Sequence, residues 1–159
     1  MKTLLILLLL TGTCYAEEIR WDDLVSAVIQ VESNGRSDAV SEKGCIGLMG
    51  INPKGALAEW IECETPHTYN GFPIPYKCSC RIATYTQDLY NKKFNIEVGT
   101  FYLHRLHEFY GCKTVEQITS AYHGGIGRLR SVHYDVTKMS NETKRYVFKV
   151  LSIYNKRTL

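Results

Sequence analysis

A glutamate ends the first helical segment of the chain on its apolar side. In the stretch "LVSAVIQVESNG", apolar residues recur at helical spacing through Leu24, Val28 and Val31. At ~100° per residue, with Leu24 at zero, Val28 falls near ~40° and Glu32 near ~80°. Glu32 therefore points to the side of the valines, where burial and the helix dipole both favour the protonated carboxyl. A carboxylic acid that keeps its proton near neutral pH is what general acid catalysis requires.

The simpler interpretation is that Glu32 turns into solvent from a fraying helix end, and the angle alone favours it. Two glycine-rich segments change that balance. The segment "SEKGCIGLMGINP" carries three glycines, at positions 44, 47 and 50, and "AYHGGIGRL" places Tyr122 and His123 just before another glycine-rich turn. Glycines let a backbone approach a ligand closely, and loops that carry aromatic and polar groups commonly bind ligands.

Helical periodicity appears in four segments, which predicts a mainly α domain without repeats or linkers. The segments are residues 21–31, 95–109, 115–122 and 146–154. We expect Asn95 to cap the second helix and Gly111 to end it, and Gly124 to end the third. Glu142 lies favourably near the N-terminus of the last helix.

The first sixteen residues, "MKTLLILLLLTGTCYA", have the pattern of a secretory signal peptide. A positive residue precedes an apolar run that is far shorter than the ~20 residues of a membrane span. We therefore predict a signal peptide at 1–16, one exported domain at 17–159, and no membrane-spanning segment after cleavage. Cys14 as a lipid-attachment residue is the alternative. The formal net charge of +3 gives little reason to expect nucleic acid as a partner.

The cysteines favour an oxidising compartment. Five remain after residue 16: Cys45, Cys63, Cys78, Cys80 and Cys112. In an exported protein we expect disulfides, with at least one thiol unpaired and the pairing undetermined. The segment from Cys63 to Cys80 is rich in Pro, Gly and Asn, which predicts a disulfide-stapled loop or small hairpin. A metal site from the same cysteines with His67 fits no zinc spacing, and no metal is expected.

Taken together, the motifs resemble the soluble lytic transglycosylase (SLT-type) domain, a lysozyme-like family. That family shows a helix ending in Glu-Ser, a "GLMQI-P" segment, an "N-I-x-x-G-x-x-Y-L" helix, an "AYN-x-G" turn and an "E-T-x-x-Y-V" helix start. This chain has "VES", "GLMGINP", "NIEVGTFYL", "AYHGG" and "ETKRYV" in the same order. The resemblance covers about residues 21 to 154 and implies a lysozyme-like α-helical domain with a catalytic cleft.

The resemblance also implies roles for particular residues. Glu32 matches the family's catalytic acid/base. The other matched positions are expected to bind substrate or to support its groove: Ser41, Met49, Tyr122, His123, Glu142 and Tyr146. The chain departs from the family at two positions, because Gly50 stands in place of a Gln and His123 in place of an Asn. Gly50 cannot supply the polar contact of that Gln, whereas His123 can bind and would add sensitivity to pH.

The implied reaction cleaves the β-1,4 bond between N-acetylmuramic acid and N-acetylglucosamine in peptidoglycan and leaves a 1,6-anhydro product, with no cofactor. Most glycoside hydrolases use two carboxylates, and Asp38 and Glu42 are the candidates here for a second. Two alternatives stay open: a lysozyme that hydrolyses the same bond, and a non-catalytic glycan-binding assembly factor. Size and export suggest that the protein opens the wall locally for a secretion, conjugation or pilus apparatus.

Overall fold

Helices make up most of the computed structural model, which describes residues 18–64, 68–69, 72–73 and 79–158. They are α1 (Trp21–Glu32), α2 (Ala58–Glu64), α3 (Ser79–Asp88), α4 (Lys92–Glu108), α5 (Val115–Gly124), α6 (Ile126–Ser131) and α7 (Asn141–Tyr154). A π-helical turn (Pro53–Leu57) leads into α2, and 3-10 turns lie at Val136–Lys138 and Asn155–Thr158. The prediction of a mainly helical domain is confirmed.

The predicted hairpin is present, but the predicted disulfide staple is not found in the described residues. Strands β1 (Thr68–Tyr69) and β2 (Phe72–Pro73) pair antiparallel in a two-residue hairpin. Cys45, Cys63 and Cys112 carry free thiols, and Cys112 is fully buried. Cys78, His67 and the side chain of Cys80 lie outside the described residues. The described residues also hold no cluster of His, Cys, Asp or Glu placed to bind a metal ion.

The predicted cap of the longest helix was wrong. Helix α4 begins at Lys92, and the Asn91 side chain caps it by accepting a hydrogen bond from the Phe94 N–H at 3.2 Å. Asn95 lies one turn inside the helix and is fully buried. Its amide does not cap the helix, because it forms hydrogen bonds in the interior with backbone groups outside α4. Phe109, at the end of the same apolar pattern, is 65% exposed.

Helix α7 packs against both α1 and α5, so the two ends of the described chain share one core. The apolar faces of these helices meet through residues that are fully buried, among them Leu24, Val28, Ile118 and Val150. Burial of aliphatic side chains at ~1.5–3 kcal/mol each is the main source of stability for such a bundle. This packing fixes the C-terminal end of α1, and with it Glu32, against α7.

The buried side-chain amide of Asn95 fixes the glycine-rich connection between α1 and α2 in place. Asn95 Nδ2 donates to the carbonyls of Ile46 at 2.9 Å and Leu89 at 2.8 Å, and its Oδ1 accepts from the Met49 N–H at 2.8 Å. Gly47 must lack a side chain here, because a Cβ would lie 2.2 Å from Asn95 Nδ2. The Ser33 hydroxyl ties the same connection to α1 by donating to the Leu48 carbonyl at 2.8 Å.

The predicted signal peptide lies outside the described residues, as does Cys14. Within the described ranges, no helix combines the length and apolar character that crossing a bilayer requires.

Candidate active site

Glu32 is the last residue of α1, and its side chain reaches the wall of a cleft of about 720 Å³. The carboxyl is half-buried. Burial raises its pKa from 4.5 to about 7, because an ionised carboxylate loses hydration there. At neutral pH the group is therefore divided between its acid and its base forms, and it can donate a proton and later accept one.

Two tyrosines lie near this carboxyl, the half-buried Tyr122 on the cleft wall and the buried Tyr146 behind it. Burial, followed by the charge of Glu32, raises the pKa of both Tyr122 and Tyr146 well above that of a free tyrosine, so both hydroxyls keep their protons. Tyr122 donates to the Met49 carbonyl at 2.8 Å. Tyr146 Oη is buried without a partner of ordinary hydrogen-bond geometry in the described residues, yet it lies close enough to Glu32 to oppose part of the rise in its pKa.

Gly50 leaves the space that the Glu32 carboxyl occupies. Its φ of +58° lies in the left-handed region. A Cβ at this position would lie 2.5 Å from Glu32 Oε2 and 3.0 Å from its Cδ. The position that departs from the family's Gln is thus the one whose side chain would collide with Glu32 as it stands. Gly50 therefore contributes room for the acid rather than a polar contact to sugar.

A polar bridge joins the two sides of the cleft. Lys43, from the connection after α1, donates to Glu142 of α7 at 3.0 Å. His123 Nε2 lies 3.6 Å from the same carboxylate, and its ring stacks on Tyr146 with centroids 4.3 Å apart. Burial lowers the pKa of His123 below 6.5, although Glu142 partly opposes this, so the imidazole is neutral at pH 7. Lys43 lowers the pKa of Glu142 and keeps it ionised.

Most of the residues predicted for the site come together. Glu32, Ser41, Tyr122, His123 and Glu142 all line the cleft. Ser41 does not bond to Glu32 in the described residues; its Oγ accepts from the Cys45 N–H at 3.0 Å and stabilises the turn beside the cleft.

Met49 and Tyr146 lie behind the cleft wall instead of on it. The Met49 side chain is fully buried against Gly99, where a Cβ would lie 2.3 Å from its sulfur. Met49 contributes to the site through its backbone carbonyl, which accepts the hydrogen bond from Tyr122. Tyr146 is 7% exposed and supports His123 by stacking. Because both side chains are packed in the interior, they can support the groove wall from behind, and their part in substrate binding stays a prediction.

Comparison with known proteins identifies the family of the chain. The profile of the family described as "Transglycosylase SLT domain" matches residues 16–145. The chain belongs to this family. The resemblance inferred from the motifs is thereby confirmed.

Relatives of this SLT domain include two curated proteins named membrane-bound lytic murein transglycosylase E. That of Buchnera aphidicola subsp. Baizongia pistaciae (strain Bp) is 34% identical over 121 residues, a match covering 72% of this chain and 50% of the relative. That of Buchnera aphidicola subsp. Acyrthosiphon pisum (strain APS) is 33% identical over 82 residues, covering 52% and 31%. The chain spans half or less of the length of these relatives.

Among solved structures, the SLT domain is similar to an inactive mutant of the lytic transglycosylase Slt from Pseudomonas aeruginosa. The TM-score is 0.62 at 26% sequence identity, and the match covers 86% of this chain but 22% of that one. The described fold therefore corresponds to one part of a much longer protein.

The SLT domain also lines its cleft with residues to which the sequence gave no individual role in binding. They include Glu42, Lys43, Cys45, Asn52, Tyr102 and residues 124–127. Glu42 had been considered only as a second carboxylate. Tyr102 belonged to the apolar pattern of α4, which gave no sign that its ring faces the cleft beside Tyr122, with centroids 5.7 Å apart. Gly125 and Gly127 border open space, since a Cβ at either meets no atom within 4 Å.

Proposed function

We propose that the chain is a peptidoglycan lytic transglycosylase that cleaves the β-1,4 bond between N-acetylmuramic acid and N-acetylglucosamine. The observation that carries the proposal is the Glu32 carboxyl, half-buried on the cleft wall with its pKa raised to about 7. The names of the relatives, lytic murein transglycosylases, support the same substrate. The solved relative lost its activity in a mutant with Gln in place of a Glu, which fits a single essential carboxyl.

In the proposed reaction, protonated Glu32 donates its proton to the oxygen that bridges the two sugars. The bond from that oxygen to the muramic acid's anomeric carbon breaks, and the N-acetylglucosamine leaves with a free 4-hydroxyl. Glu32, now a carboxylate, takes the proton of the muramic acid's own 6-hydroxyl. The 6-oxygen bonds to the anomeric carbon, the 1,6-anhydro ring closes, and Glu32 is protonated again. No water is consumed, because the nucleophile is already part of the substrate.

One carboxyl is sufficient for this sequence, which agrees with the acidic residues that surround the cleft. Besides Glu32, the acidic residues that line it in the described structure are Glu42 and Glu142, and both are exposed. Asp38 is exposed and does not line the cleft. Glu142 is held by Lys43. We assign Ser41, His123 and Glu142 to sugar binding, and Met49, Tyr122 and Tyr146 to holding Glu32 and the cleft wall in place.

The experiment compares the wild-type protein, Glu32→Gln and the control Glu42→Gln on purified peptidoglycan. We expect Glu32→Gln to lose at least ~10³-fold in turnover because Gln cannot donate a proton, and Glu42→Gln to stay within ~10-fold of wild type. Mass spectrometry of the fragments identifies the reaction. Fragments one water lighter than hydrolysis products support the transglycosylase, whereas fragments that all carry the water would establish a lysozyme.

The assay also separates a third function. If neither wild type nor Glu32→Gln releases fragments while both bind glycan strands, the protein is a glycan-binding assembly factor. Equal release by both would remove Glu32 from the mechanism.

We further propose that the protein is exported after cleavage of residues 1–16 and acts in the periplasm or outside the cell. N-terminal sequencing of the secreted form should find Glu17 first; a retained Met1 would contradict the export signal, and a lipidated Cys14 would replace cleavage at Ala16. The suggestion of a secretion, conjugation or pilus apparatus as partner depends on size and export alone. Deletion of the gene should then reduce secretion or transfer, and unchanged transfer would remove that partner.

A further inference from the structure

The outward face of α7 carries an exposed aromatic ring within a stripe of cations. Phe148 is 73% exposed, the highest value among the large apolar side chains described. At ~100° per residue, Arg145 and Phe148 lie within ~60° of each other around the helix axis, with Lys144 and Lys149 on either side. All three of these cationic side chains are exposed. We call Lys144, Arg145, Phe148 and Lys149 the basic face.

The charge of the basic face is not balanced locally. Within the described part of the chain, none of its three cations forms an ion pair; Lys144 makes one long hydrogen bond, to the Thr137 carbonyl at 3.4 Å. Glu142, the acidic residue of α7, lies at the edge of this face. Its carboxylate pairs with Lys43 and lies near His123 on the cleft side, so it does not pair with the basic face. Exposed Lys156 extends the stripe beyond the end of the helix.

The shape of the basic face indicates a flat partner. The face is the ridge of one helix, and none of its four residues lines the cleft or the smaller cavity beside Lys113 and Tyr154. A peptide or a sugar would need a groove to enclose it, whereas a planar anionic surface can meet all the cations at once. Clustered cations attract a helix to anionic lipid headgroups, and an exposed aromatic ring beside them can be buried at the boundary between headgroups and acyl chains.

We infer that the basic face of α7 binds an anionic phospholipid surface, with Phe148 entering the headgroup boundary. The cations supply attraction that depends on salt and on lipid charge, and the ring supplies apolar burial. Because Glu142 lies at the start of the same helix, binding would hold the cleft at a fixed position relative to the membrane.

The test measures sedimentation of the purified chain with vesicles of phosphatidylcholine containing a third phosphatidylglycerol, and with pure phosphatidylcholine. The wild type should bind the anionic vesicles at least tenfold better, and the difference should disappear in 1 M salt. Removing one cation should weaken binding about fivefold, so that Lys144→Gln/Arg145→Gln/Lys149→Gln loses about 100-fold. Equal binding to both vesicle types, or an unaffected triple variant, overturns the inference.

A matched control removes the same charge elsewhere. Lys54→Gln/Lys92→Gln/Lys93→Gln takes away three exposed cations remote in sequence from α7, and it should bind anionic vesicles within about threefold of wild type. Phe148→Ser tests the ring, and a thermal melt confirms that each variant folds. Phe148→Ser should weaken vesicle binding several-fold and leave binding to immobilised poly-glutamate unchanged. Binding to poly-glutamate without binding to vesicles would identify an acidic protein as the partner and overturn the inference of membrane binding.

Discussion

Glu32 shows how much one carboxyl can be changed by its surroundings without a charged neighbour. Its pKa rises to about 7 chiefly because burial penalises the ionised form, and the nearby Tyr146 hydroxyl opposes only part of that effect. An acid prepared in this way destabilises the fold at high pH, because folding must then bury a charge.

Replacing Glu32 by Gln should therefore stabilise the protein above pH 7. The unfolded carboxyl titrates near 4.5 and the folded one near 7, so between these values the folded state holds a proton that the unfolded state has lost. Stability consequently falls as pH rises through this window. We expect Glu32→Gln to gain up to about 3 kcal/mol in free energy of unfolding at pH 8 and nothing at pH 4. Urea denaturation at both pH values measures this, and a gain independent of pH would contradict the raised pKa.

Gly50→Ala should strongly reduce turnover while lowering the free energy of unfolding only modestly. The added methyl would overlap Glu32 Oε2, so the carboxyl must leave its place, and the backbone would pay ~1–2 kcal/mol for its left-handed conformation. We expect at least a tenfold loss of turnover, with the pKa of Glu32 shifted.

The control for Gly50→Ala is Gly35→Ala, which has the same kind of backbone strain. Its φ is +80°, and a Cβ there meets no atom within 4 Å. Gly35→Ala should lose similar stability and keep its turnover. Equal turnover in the two variants would show that the space beside Glu32 is not what Gly50 provides.

At the scale of single residues, the sequence could predict on which side of α1 the Glu32 side chain lies, but not why position 50 is a glycine. Helical spacing placed the carboxyl on the apolar side, and that much follows from local geometry. The contact between Gly50 and Glu32 depends on the path of a connection that turns through several glycines, and spacing does not encode that path. Likewise, no local signal showed that Met49 would be buried against Gly99.

Asn95 joins elements that local sequence treats separately. It belongs to α4, yet its three hydrogen bonds hold the connection at Ile46 and Met49 and the end of α3 at Leu89. The amide matches two carbonyls and one N–H, so removing it would leave three buried backbone groups without partners.

Asn95→Ala should lower the free energy of unfolding by about 3 kcal/mol or more, because each unsatisfied buried group costs ~1–3 kcal/mol. Asn91→Ala, which removes only the exposed cap of the same helix, should cost about 1 kcal/mol. Chemical denaturation of both variants makes the comparison. A smaller loss for Asn95→Ala than for Asn91→Ala would show that the buried amide is not what holds the connection.

The helices that sequence could predict were those with a repeating apolar face and recognisable ends. Helix α6 is six residues long, follows Gly125 and contains Gly127, and α3 follows directly on a segment rich in Pro and Cys. Periodicity therefore had too little length or contrast in either case. The capping error arose because Asn is favoured both at a helix end and in a buried bonding role. Only the tertiary contacts decide between the two.

At the scale of the whole molecule, the two ion pairs of longest sequence separation among the described residues should differ in their contribution to stability. Lys43 and Glu142 are 73% and 61% exposed, whereas Arg105 and Glu59 are each 21% exposed and lie 2.6 Å apart, with the guanidinium also over the Phe109 ring. Arg105→Met should cost about 1–3 kcal/mol and Lys43→Met less than about 0.5 kcal/mol. Thermal melts at low and high salt measure both; an equal loss would mean that the exposed pair is stabilising.

The packing of α1 against α7 has a consequence for when Glu32 acquires its raised pKa. The acid lies near one end of the chain, while Tyr146 and the rest of the helix that buries it lie near the other. A nascent chain that lacks α7 already contains Glu32, but there it is an ordinary solvated carboxylate without a proton to donate at neutral pH. The raised pKa of Glu32, on which the proposed reaction depends, therefore requires that α7 has been synthesised and has packed against α1.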